Sequence, residues 1–125
     1  MEIFILVEVL MIIQLALLLL HQMDSTYFKE WEMMPFLKIG YVPFFIVTIF
    51  LTAIQVFGIF LLIDRNVTGV LIAIIWGFLG LDVPAFHTYH YIKGAKEIRN
   101  FWSALIIYLI LINSVLLLKY GFEVL

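Results

Sequence analysis

Apolar positions run almost unbroken from Ile3 to Gln22, Tyr41 to Ile63, Gly69 to Ile92 and Phe101 to Lys119. Each run is about 20 residues long, the length at which a helix rising 1.5 Å per residue crosses the hydrocarbon core of a bilayer. Charged residues collect between the runs, in Asp24 to Gly40, Asp64 to Thr68 and Lys93 to Asn100. The pattern predicts an all-α, polytopic membrane protein: a four-helix transmembrane bundle whose connections are long, short and long. The first connection has its own periodicity. Tyr27, Phe28, Trp31 and Met34 recur at helical spacing while Lys29, Glu30 and Glu32 take the other side. This predicts a short interfacial helix over Thr26 to Met34, ended by Pro35.

Composition narrows the class further. The chain has 125 residues, 66% apolar and 13% charged, with a mean hydropathy of +1.17, outside the range of soluble domains. Four spans consume most of that length, so a single transmembrane domain over residues 1–125 is expected. The first apolar run follows Glu2 rather than a basic segment and lacks a small-residue cleavage site, so it reads as a retained helix. With no cysteine, thiolate metal sites, iron–sulfur clusters and cysteine nucleophiles are excluded, and any metal must take nitrogen and oxygen ligands. The net charge of −2 gives no footprint for nucleic acid. The basic residues carry topology instead. Lys29, Lys38, Lys93, Lys96 and Arg99 fall on the side of the first and third connections, against Arg65 and Lys119 opposite. The excess predicts a multi-pass protein of the cell membrane with those two connections cytoplasmic and both termini external.

Polar residues inside the spans are the functional signal, because a charge near the bilayer centre costs about 2.5–3.5 kcal/mol on insertion scales. His21 ends the first span, with Asp24 three residues on and Gln14 seven residues back on the same face. His87 and His90 reach the same leaflet from the third span. There Ala73, Gly77, Gly80, Pro84 and His87 form a track of small residues suited to close helix packing. Asp82 lies below these histidines, too deep to reach the surface, beside a bend expected at Pro84. Thr48, Thr52 and Gln55 make one stripe on the second span, and the fourth carries Ser103 and Asn113. Glu8, nearer the external face, is expected to pair with Asn113 as helix glue.

His21, Asp24, His87 and His90 form a candidate metal site for zinc or iron, with Glu30 or Asp82 as a further ligand, an outer partner or the general base. A divalent ion there would lower the pKa of a bound water and allow hydrolysis at the membrane surface. The first functional reading is therefore a metal-dependent membrane enzyme, a hydrolase, acting on a lipid or other amphiphile. Two readings stand beside it. One is a proton-coupled carrier using Asp82 and Glu8, oligomeric because four helices enclose little pathway alone. The other is a non-catalytic assembly subunit whose small-residue track is a partner interface. Considered one at a time, interfacial histidines more often cap helices and bond to backbone carbonyls.

At His21-Gln22-Met23-Asp24 followed by Glu30-Trp31, with His87-Thr88-Tyr89-His90 two spans later, the chain resembles the HXXEE-type family of small membrane proteins. The resemblance implies a four-span bundle with a His-x-x-acid motif ending the first helix and a later histidine. It places the motif on His21 and Asp24, with His87 or His90 following, and implies a metal-dependent enzyme. Ser25 stands where that family has a second glutamate, so Glu30 or Glu32 would have to replace it.

Overall fold

The computed structural model describes residues 2–27, 40–92 and 101–125. Its elements are α1 (Ile3–Tyr27), α2 (Tyr41–Ile63), α3 (Val67–Ile92) and α4 (Phe101–Val124), each long and apolar enough to cross a membrane. Two spans outrun their hydrophobic length. α1 continues through Met23–Tyr27 and α4 through Tyr120–Val124, because leaving the hydrocarbon removes no helical hydrogen bond and neither stretch contains proline. Thr26 lies in α1 and bonds back to the Gln22 carbonyl at 2.8 Å. Thr26 and Tyr27 of the expected interfacial helix thus belong to α1, and its remainder lies outside the described residues.

The helices pack in ring order, α1 on α2, α2 on α3, α3 on α4 and α4 on α1, with α1 and α3 also meeting across the diagonal. The short α2–α3 connection forces these two into an antiparallel hairpin. Arg65 adopts the left-handed conformation (φ 54°), and the Asn66 side chain caps α3 by accepting the Thr68 N–H at 2.9 Å. Arg65 also pairs with Glu2, tying the hairpin to the start of α1.

The expected track of small residues is the buried face of α3: Ala73, Gly77, Gly80, Pro84 and His87 are all buried. Close approach at Gly80 has a definite purpose. A Cβ there would overlap Ser114 Oγ and Gln14 Nε2, which hydrogen-bond each other at 2.8 Å. Asn113 completes this buried cluster, donating to Gln14 Oε1 at 2.7 Å and to the Leu10 carbonyl at 3.0 Å. The expected Glu8–Asn113 pair is therefore replaced by Gln14–Asn113. Both amide protons of Asn113 are taken, and Glu8 is half-buried, six residues before Gln14. Toward the end of the bundle that carries the α2–α3 connection the core turns apolar, with Val7, Met11, Leu62, Val70, Ile74 and Leu117 packed together.

Candidate functional site

His21 on α1 and His87 on α3 are both buried. Their rings meet edge to face, with centroids 5.0 Å apart and planes at 85°. Two features of the sequence bring them together. The small-residue face of α3 lets that helix approach α1 across the diagonal, and the α1 face carrying Gln14 also carries His21, two turns along. Ser25, one turn beyond His21, is buried too, and its hydroxyl lies 3.3 Å from His21 Nε2.

The pair forms part of the wall of a cavity of about 230 Å³ that also touches Ser25, Phe44, Asp82 and Phe86. A second cavity of about 220 Å³ continues from it toward the bilayer centre. The two share Gln22, Asp82 and Val83, and the second runs along the α2 stripe of Thr48, Thr52 and Gln55 to Trp76. Together they make a groove between α1, α2 and α3. Asp82 sits at the junction and is exposed rather than enclosed by the bundle. On the other side of α3, a cavity of about 290 Å³ lies against α4, lined by Pro84, His87, Thr88, Tyr91, Ile107 and Tyr108. His87 therefore borders space on both sides of its helix.

The remaining expected site residues are placed differently. Asp24 is half-buried and touches none of these three cavities. His90 is half-buried with its ring tilted over Phe86 at 4.3 Å. Spacing by three leaves a residue about 60° around the helix from its partner. The contact sectors of α1 and α3 hold residues 21 and 87 but extend no further. Spacing by four is closer in angle, which is why Ser25 and not Asp24 stands against His21. That step was the signal available in the sequence for Ser25. Among the described residues, no three His, Asp or Glu side chains gather closely enough to hold one metal ion. Glu30 lies outside the described residues. The Ser103 hydroxyl is buried on α4 with no hydrogen-bond partner among the described residues.

A family match spans residues 7–123, taking in all four helices, the imidazole pair and Asp82. The chain belongs to a family of unknown function, DUF6713. The match is to DUF6713 and not to the HXXEE type, in keeping with Ser25 at the position where the HXXEE pattern has a second glutamate. No curated protein and no solved structure matches the chain. This member of DUF6713 is thus a four-span, membrane-type helical protein whose function must be argued from its own residues.

Proposed function

We propose that this protein is a membrane-embedded binding site for a lipid or other amphiphile, with its polar end at His21 and His87, and that it acts on that molecule with a divalent metal. One observation carries the reading: two buried imidazoles from different helices, 5.0 Å apart, at a cavity that continues into a groove along the membrane. The groove mixes polar and apolar lining as an amphiphile site does, with Thr48, Thr52 and Gln55 on one wall and Leu18, Leu51 and Leu79 beside them. The excess of basic residues in the first and third connections supports a cytoplasmic opening.

The imidazole spacing also fits a metal. Two rings ligating one tetrahedral zinc through nitrogens at about 2.0–2.1 Å have centroids about 5 Å apart. His21 and His87 would supply two ligands, and Asp24 and His90 are the expected further members of the set. Glu30 is the candidate third ligand or general base, and Asp82 is the carboxylate at the groove. Zinc or iron(II) held there supplies Lewis acidity and a water of lowered pKa. A carrier finds less support, because the apolar packing of Val7, Met11, Leu62, Val70 and Leu117 fills the end of the bundle that carries the α2–α3 connection.

The test is metal content by mass spectrometry on untagged, detergent-purified protein beside His21→Ala and His87→Ala. Near-stoichiometric zinc or iron, lost in both variants, is expected. A folded wild type carrying no metal after incubation with either ion would sink the metal-dependent part of the reading.

A further inference from the structure

The groove has an unbalanced polar chemistry. Asp82 lines both of its cavities, and its carboxylate forms no hydrogen bond or ion pair among the described residues. Gln55 is 2% exposed, with its amide N–H directed at Met11 Sδ at 4.0 Å, and its side-chain oxygen accepts no hydrogen bond among the described residues. Thr48 donates to the Phe44 carbonyl at 2.8 Å and lies 3.4 Å from Gln22 Oε1, both residues lining the groove's walls. Besides the histidines, of which His21 and His87 line the same cavity as Asp82, the basic side chains among the described residues are Arg65 and Lys119. Arg65 pairs with Glu2 at the far end of the bundle, and Lys119 lies over the Tyr120 ring. Neither reaches the groove.

A carboxylate that lines both cavities and meets no Lys or Arg among the described residues suits a cation that donates hydrogen bonds. With no partner among the described residues, its charge is costly at this depth, and a bound cation offsets that cost. The aromatic rings of Phe44 and Phe86 in one cavity and Trp76 in the other add faces that favour a positive charge. Leu51 and Leu79 are exposed beside them, so the groove is open to lipid tails.

The geometry points to an ammonium-bearing amphiphile as the ligand: its nitrogen beside Asp82, where the two cavities join, and its alkyl chain along Leu51 and Leu79. This rests on the amphiphile site proposed above and names the charge of its ligand.

The probe is a brominated alkylammonium compared with the bromoalcohol of the same chain length, in zwitterionic nanodiscs. Replacing Trp31 and Trp102 by Phe leaves Trp76 as the reporter, since the chain has three tryptophans. Saturable quenching by the ammonium probe is expected at about tenfold lower mole fraction than by the alcohol. That advantage should vanish in Asp82→Asn, which keeps the side-chain shape. Equal saturable quenching by both probes, or an advantage that survives in Asp82→Asn, overturns the charge assignment but leaves the amphiphile site standing. Quenching no greater than bilayer partitioning gives for either probe overturns both.

Discussion

Replacing Gly80 by alanine adds one methyl group at the most crowded point between α1, α3 and α4. The new carbon would overlap Ser114 Oγ and Gln14 Nε2 and stand 3.2 Å from Ser114 Cβ. Neither neighbour yields freely. Gln14 accepts from Asn113 at 2.7 Å while donating to Ser114 at 2.8 Å, and Ser114 is fully buried. Overpacking of this kind costs about 1–3 kcal/mol. Losing the Gln14–Ser114 bond adds about 0.6 kcal/mol, an average for interhelical hydrogen bonds in membranes. Against these stands about 1 kcal/mol gained from the better helix propensity of alanine. The net expectation is a loss of about 0.6–2.6 kcal/mol, read from reversible unfolding in mixed micelles titrated with sodium dodecyl sulfate. Ser114→Ala by itself should cost about 0.6 kcal/mol. Because it removes one of the two overlapping atoms, Gly80→Ala/Ser114→Ala should be less destabilised than Gly80→Ala. A Gly80→Ala protein within about 0.5 kcal/mol of wild type, or strict additivity in the double variant, would refute the packing argument.

Two further substitutions separate backbone contacts from flexible ones. A Cβ at Gly69 meets the Leu62 backbone nitrogen at 2.7 Å and the Gly58 carbonyl at 3.0 Å, whereas one at Gly77 meets the Leu118 side chain at 2.7 Å. Gly69→Ala should therefore lower the same unfolding midpoint more than Gly77→Ala, and the reverse order would mean that the α2–α3 hairpin is looser than described. Arg65→Ala should shift stability by less than about 1 kcal/mol, since both partners in its pair with Glu2 are well exposed; a larger loss in the same titration would assign the pair a real part in holding α1.

Much of the bundle was legible because membrane helices advertise themselves by length and apolarity. The α2 bounds follow from the apolar run between Gly40 and Asp64, and the buried face of α3 from its spacing of small residues. The shared face of Gln14 and His21 was legible for the same reason: spacing by seven returns a side chain to nearly its starting angle. The sequence was less informative where two angles are close. Asp24 and Ser25 both lie about one turn beyond His21, and only the direction of the neighbouring helix selects Ser25. Likewise Asn113 could meet Glu8, Leu10 or Gln14 at similar depth, and helix rotation decided for the last two. Asp82 reads as an inward group on energetic grounds, yet it is exposed at a groove lined by α1, α2 and α3. Partner choice depends on relative rotation and tilt, which a pattern along one helix does not contain.

His87 borders about 230 Å³ on one face of α3 and about 290 Å³ on the other. One imidazole thus fronts both spaces, so any change in its rotamer or its size acts on the two at once, and α1 and α4 are linked through a single side chain of α3.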